Sequence, residues 1–336
     1  MLKQMMFATA LTVITLTSIA TAPALADPLK VVASFSIIAD FAKNVGGDKV
    51  EITTLVGPNG DAHVYEPKPA DAVAMSKADV VLVNGLHFEG FLARLVETSS
   101  SKASVVELTK GIKPLKMKAE FAEEEDHGGH AAATEEANHD HEEAAEADRD
   151  HAAKGGDDHG DIDPHAFQSV ANAKTYVANI ADAFCHADNA SCEAYKSNAS
   201  NYLATLDALD VEVKAAVASI PADKRTIITS HDAFGYFEHE YGLTFHAPEG
   251  ISTEADPSAA DVAKLIKQVR QDRASAIFLE NITNPRLIEQ IASETGLKIG
   301  GELYSDALSD ADGPAATYVD LMRHNIATIK GAIGGS

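Results

Sequence analysis

The chain has 336 residues, 45% of them hydrophobic, with 51 Asp and Glu against 27 Lys and Arg, for a formal net charge of −24. That length allows two domains with real cores, and the acidic balance excludes nucleic acid and anionic membrane as partners while favouring cations. More than half of the acidity sits in one tract, because residues 119–162 carry sixteen Asp and Glu against only Arg149 and Lys154.

At the N-terminus, Lys3 precedes an apolar run from Met5 to Ala22 that ends in Ala24-Leu25-Ala26. This pattern reads as a secretory signal peptide over 1–26, with a mature chain starting near Asp27. No cysteine lies near the cleavage point, so the reading is an unanchored, exported protein.

From Leu29 onward, short β-branched runs alternate with helical patterns. Strands are expected at Leu29–Ala33, Val50–Val56, Val80–Asn84 and Ala103–Glu107, with a helix over Ile37–Val45 stopped by Gly46-Gly47. This rhythm predicts a parallel sheet covered by helices.

The tract that follows, 119–162, contains His127, His130, His139, His141, His151 and His159 among Asp, Glu, Ala and Gly. Its composition cannot bury enough apolar surface to offset ordering entropy, so it reads as a mobile loop. Imidazole suits zinc, copper and nickel, and the six histidines together read as auxiliary weak metal ligands, a zinc scavenger or a sensor of its abundance. The tract empties into Asp163-Pro164-His165, where a rigid Asp-Pro and a following helix hold the imidazole of His165 in ordered structure.

Beyond it, Ala173, Val177, Ile180 and Phe184 recur at helical spacing. Tyr195, Ala199, Tyr202, Leu206, Leu209, Val213, Ala216 and Ile220 continue a three-four alternation that predicts a long helix bridging two halves. Cys185 and Cys192, the only cysteines, fall between these helices. In an oxidising compartment two thiols so close in sequence form a local disulfide; a metal pair is the competing reading, set back by their distance from the other ligand candidates.

The βα rhythm then resumes. Strands are expected at Thr226–Thr229, Leu243–His246, Ala276–Leu279 and Lys298–Gly300. Helices are expected over Ala259–Arg270, from Asn284-Pro285 to Gly296, and from Ala315 to about Lys330. The whole is an α/β chain of two lobes, each with a mainly parallel sheet flanked by helices. The divisions are 27–190, a linking helix at 191–220, and 221–336.

Three polar residues fall just after strands: His63 after Val50–Val56, His231 after Thr226–Thr229, and Asp306 after the last strand. Open α/β sheets bind ligands at those carboxyl ends. With His165 the set is three imidazoles and one carboxylate, which suits tetrahedral zinc better than manganese. Glu66 and Asp232 are candidate partners for orienting the imidazoles.

At these residues the chain resembles the metal-specific solute-binding proteins of ABC importers, most closely their zinc branch. The segments that carry the resemblance are Val31-Val32-Ala33-Ser34-Phe35, His63-Val64-Tyr65-Glu66-Pro67, Ala78 to Gly85, Asp163-Pro164-His165, His231-Asp232-Ala233-Phe234 and Tyr318 to Asn325. The resemblance implies a long rigid helix between the lobes and a metal in the cleft, held by His63 and His165 from the first lobe and His231 and Asp306 from the second. Manganese relatives usually carry a carboxylate at the third position, so His231 tips the reading to Zn2+, carried as cargo. Many relatives have Pro where this chain has Ala62, and some zinc members use a nearby Glu; the fourth position here falls to Asp306, or to a water.

The same resemblance implies a monomeric periplasmic receptor that delivers its ion to an inner-membrane ABC permease with a cytoplasmic ATPase. A periplasmic zinc chaperone is a further candidate partner. Affinity is expected to fall as pH drops through the histidine range near ~6.5. Two other readings stay open: an exported zinc-dependent hydrolase, for which no His-Glu-x-x-His helix is present, and a manganese-specific solute-binding protein. The label of adhesin, used for some relatives, has no support in the residues.

Overall fold

A computed structural model describes residues 27–116, 162–250, 252–254 and 257–334. The expected signal peptide and the six histidines of the acidic tract lie outside the described residues. On either side of that tract, Lys116 and Ile162 form an isolated antiparallel bridge.

The first lobe is built from β1 (Leu29–Phe35), α1 (Ser36–Gly46), β2 (Val50–Val56), α2 (Pro69–Lys77), β3 (Val80–Val83), α3 (Leu92–Ser99) and β4 (Ser104–Glu107). Its four strands are all parallel, in the order β2-β1-β3-β4. β3 is Val-Val-Leu-Val and buried throughout, as expected of a strand covered on both faces. α1 turns its apolar stripe, Ile37, Ile38, Phe41, Ala42 and Val45, into the core and stops at Gly47, whose φ of 57° suits glycine.

α4 (Val170–Ala187) and α5 (Cys192–Ala218) follow, joined by the Cys185–Cys192 disulfide. Asp188 caps the intervening turn by accepting from the backbone N–H groups of Ala190 and Ser191. The disulfide reading therefore stands over the metal pair. The 27 residues of α5 span about 40 Å at ~1.5 Å per residue. Its buried positions, Tyr195, Ala199, Tyr202, Leu206, Leu209, Val213 and Val217, keep the three-four spacing of a single stripe. That stripe packs against α1, α4 and the last helix, α9 (Tyr318–Gly334).

The second lobe contains β5 (Thr226–Ile228), α6 (Gly235–Tyr241), β6 (Thr244–His246), α7 (Ala259–Asp272), β7 (Ala276–Glu280), α8 (Pro285–Thr295), β8 (Ile299–Leu303) and α9. Its strands are also all parallel, in the order β6-β5-β7-β8. The N-cap of α8 is Asn284, whose side chain accepts from the N–H of Arg286, with Pro285 in the first turn and Gly296 closing the far end at φ 78°.

Two elements depart from the sequence expectation. α6 was not anticipated, because seven residues are too few to establish a period. The last helix begins at Tyr318 rather than Ala315, since Ala315 is held in a buried turn in which its N–H donates to Ser309 Oγ and its carbonyl accepts from Ser309 N–H.

One apolar core runs through both lobes, from Val31, Phe35 and Ile37 past α4 and α5 to Phe237, Tyr318 and Ile333. A smaller cluster, including Ile228, Leu265, Ile277 and Ile288, lies under α7 and α8. Among the described residues no helix is long and apolar enough to cross a membrane.

Candidate metal centre

Parallel strands of order 2-1-3-4 and 6-5-7-8 reverse their winding beside the first strand of each sheet, and ligand crevices form at the carboxyl ends there. His63 stands in the loop after β2, and His231 in the loop after β5. Asp306 follows β8, and His165 opens the turn into α4.

All four residues are buried, and the structure brings their donor atoms within 4.8 Å of one another. Asp306 Oδ2 is the hub, 3.1 Å from His63 Nε2, 3.1 Å from His231 Nε2 and 3.5 Å from His165 Nε2. His165 Nε2 and His63 Nε2 are 3.3 Å apart. The other carboxylate oxygen, Oδ1, is buried and has no hydrogen-bond partner among the described residues. An anionic oxygen left so in a dry interior is costly unless a cation completes it.

Each of the two deepest imidazoles has a carboxylate at its other nitrogen. Asp163 Oδ1 lies 2.8 Å from His165 Nδ1 and also accepts from the His165 backbone N–H at 2.9 Å. Glu280, the last residue of β7, puts Oε2 2.7 Å from His231 Nδ1, while its Oε1 accepts from the N–H groups of Ser230 and His231. These contacts leave the Nε2 atoms facing the hub and fix the ring orientations.

Sequence reasoning had offered Glu66 and Asp232 for this role. Glu66 is exposed, and the carboxylate at His231 Nδ1 is Glu280. Glu280 was hidden by 49 residues of separation, although its place at the end of a strand neighbouring β5 is the kind of position where ligand-facing side chains collect. Asp163 adjoins His165 and carried its own signal, because an Asx side chain readily bonds backbone two residues on.

Around this centre, Phe88 packs edge-on against His63 at 4.8 Å and His165 at 5.6 Å between ring centroids. The turn that presents it is held left-handed at Leu86 and His87, with φ of 53° and 62°. Glu89 secures the turn by accepting from Ser34 Oγ at 2.7 Å and Asn84 N–H at 2.6 Å; burial raises its carboxyl pKa above the usual range. On the far side α6 comes close because it starts at Gly235, where any Cβ would collide with Asp163 Oδ2. Tyr236 Oη then donates to the Asp163 carbonyl at 3.2 Å and accepts from the Leu115 N–H at 3.0 Å.

The electrostatics follow from this packing. Burial alone pulls the pKa of His165 down, but Asp306 and Asp163 together push it up to about 9. His231 is likewise lowered by burial and then raised well above the ordinary histidine value by Glu280 and Asp306. For Asp306, burial works upward, yet His165 and His231 hold it well below the usual carboxylate range. Without an ion, the centre is a compact salt-linked cluster; with a dication in place of the imidazole protons, the same charges balance.

Over residues 31–332 the chain matches the family described as zinc-uptake complex component A, periplasmic (ZnuA). The chain belongs to this family. Among similar proteins, the manganese-binding lipoprotein MntA of Halalkalibacterium halodurans is 31% identical over 300 residues, covering 89% of this chain and 87% of that one. The iron-binding protein YfeA of Yersinia pestis is 30% identical, covering 92% and 88%. The solved structure of the periplasmic zinc binding protein TroA from Treponema pallidum superposes with a TM-score of 0.75 at 28% identity, covering 91% of this chain and 99% of that one.

The ZnuA-family chain shares with TroA the two parallel-sheet lobes and the long helix between them. It is a metal-binding receptor of an ABC importer, a transport component that works with a permease and an ATPase, and not an enzyme family. The names of its relatives attach them to manganese, iron and zinc.

Replacing the carboxylate behind His231 tests whether it positions that imidazole. Glu280→Gln in this ZnuA-family chain is expected to lower metal affinity about 10- to 100-fold without unfolding the protein, as removal of an orienting carboxylate does at other histidine-ligated metals. Competition against a chromophoric chelator would read it; an unchanged dissociation constant would remove Glu280 from the metal-binding apparatus.

Proposed function

We propose that this protein is a zinc receptor that captures Zn2+ between its lobes with His63, His165, His231 and Asp306 and hands it to the permease. The observation that carries the reading is the donor set itself. Four of the six separations among three imidazole nitrogens and a carboxylate oxygen are 3.1–3.5 Å, and all four atoms lie within 4.8 Å of one another. A tetrahedron with metal–ligand bonds of ~2.0–2.1 Å has edges of roughly 3.3 Å. Oδ1 of Asp306, otherwise without a partner, is available as a second, longer contact.

The division of labour follows the sequence reading. Residues 27–190 form the first lobe, 191–220 the link and 221–336 the second lobe, after removal of the leader 1–26. The histidines of 119–162 act as auxiliary weak ligands that gather zinc near the cleft. A manganese receptor is the second reading, favoured by the names of relatives such as MntA. The donor chemistry speaks against it, since manganese is better served by more carboxylate and a higher coordination number.

Titration with zinc and with manganese tests the proposal, using the mature protein without residues 120–160 and the same protein with His63, His165 and His231 replaced by Ala. One tight zinc equivalent in the parent, absent from the triple variant, is the expected result. Tighter manganese than zinc binding in the parent would overturn the zinc assignment, and equal zinc binding in both proteins would overturn the ligand set.

A further inference from the structure

The loop that carries His63 leaves the first sheet but is bonded, at two positions just before the histidine, to loops of the second lobe. It begins with Gly57-Pro58-Asn59-Gly60, a turn closed by Gly60 N–H donating to the Gly57 carbonyl at 3.1 Å. Proline at the second position and the left-handed Asn59, at φ 53°, preform this turn before any contact is made.

Asn59 faces the second lobe. Its N–H donates to the Leu308 carbonyl at 2.8 Å, two residues beyond Asp306. Its side chain donates from Nδ2 to Asp310 Oδ2 at 3.2 Å and accepts at Oδ1 from Asn281 Nδ2 at 3.2 Å.

Asp61 makes the second attachment. Its Oδ1 accepts from the backbone N–H of His63 at 2.8 Å, and its Oδ2 accepts from Thr253 Oγ1 at 2.5 Å. Shortly before Thr253 in the chain, Glu249 and Gly250 bond on either side of His231, with Glu249 N–H donating to the Ser230 carbonyl at 3.2 Å and Asp232 N–H donating to the Gly250 carbonyl at 3.0 Å. The His231 loop is thus bonded to Glu249 and Gly250, the Thr253 hydroxyl is bonded to Asp61 and through it to His63, and the Asp306 loop is bonded through Leu308 to Asn59.

We infer that Asn59 and Asp61 make the His63 loop an interlobe clasp, and that this clasp governs how fast the captured ion leaves. Neither residue is a ligand; both are positioning residues that keep His63 in register with His231 and Asp306. Asn59 is exposed and Asp61 and Thr253 are half-buried, so their side chains add little to either core. Their bonds cross the cleft between loops that must separate for the ion to escape. This rests on the metal site proposed above.

The test is the rate at which excess chelator strips Zn2+ from the full-length protein, followed by stopped flow. Thr253→Val, which keeps the side-chain shape and removes the donor, should release zinc severalfold faster than the parent. Asp61→Ala, which loses both bonds, should release it about tenfold faster. The double variant should match Asp61→Ala alone, because both changes cut one path. Asn59→Gly, which keeps the left-handed turn and the backbone bond, should accelerate release independently. Melting of the ion-free protein should stay at the parent value in Thr253→Val, separating a clasp from a general stabilising contact.

Parent-like release rates in both Thr253→Val and Asp61→Ala would overturn the clasp, as would multiplicative effects of that pair. A parent that holds no zinc to release would overturn the metal site and the clasp with it. A parent that retains zinc beside variants that retain it equally would overturn the clasp alone.

Discussion

His165→Ala should weaken zinc binding by roughly 10²- to 10³-fold. Structural zinc sites with four ligands are worth about 10–16 kcal/mol, so one ligand carries on the order of 3–4 kcal/mol, and each ~1.4 kcal/mol is tenfold. His165 is the sharpest choice because its ring is fully buried, with Nδ1 against Asp163 and Nε2 toward Asp306 and His63. Removing the ring deletes a donor and leaves two buried carboxylates facing each other without an intervening partner. Competition with a chelator of known affinity gives the number. His324→Ala is the control, since His324 lies away from the cleft and bonds the Glu302 carbonyl. Parent affinity in His165→Ala would eliminate it as a ligand.

Capturing zinc near neutral pH should release about two protons per ion. His165, raised to about 9, and His231, raised well above the ordinary value, both hold protons at pH 7 in the ion-free cluster. Metal coordination requires the neutral rings. Titration calorimetry in buffers of different ionisation enthalpy counts those protons, and affinity should rise roughly hundredfold per pH unit until pH passes the raised values.

The ion-free protein has the opposite dependence. A histidine whose folded pKa exceeds its unfolded one contributes stability that is complete below ~6.5 and lost as pH rises through about 9. Melting of the ion-free form should therefore drop between about pH 6.5 and 9, while the zinc form stays flat. This revises the expectation from composition, which placed the loss of affinity near ~6.5. Zero proton release at pH 7 would contradict the salt-linked cluster.

Much of the fold was legible because parallel strands buried on both faces advertise themselves. Val80 to Val83 and Ala276 to Leu279 are unbroken apolar runs, and Tyr195 to Val217 repeats one stripe for its whole length. The four cleft residues were legible for a different reason: each lies in a loop at the carboxyl end of a strand or behind a rigid Asp-Pro, where a polar side chain has little structural work to do. What escaped notice depends on contacts between elements distant in sequence. Glu280 acquires its role only when β7 pairs with β5, and Asn59 only when two loops from different lobes meet. α6 is shaped by a steric demand, the approach of Gly235 to Asp163, that no local period expresses.

The single core that runs from Val31 through α5 to Ile333 has a consequence for delivery. Jaws that swing apart need a dry seam between them, and here the seam is filled by Tyr176, Tyr202, Tyr318 and Phe41, rings shared by both halves. Prising that seam open would expose those rings to water at a cost approaching the ~5–15 kcal/mol that separates a folded protein from an unfolded one. A transporter that empties this receptor has to peel loops from the rim and leave the trunk untouched, so unloading resembles unbuttoning more than opening a hinge.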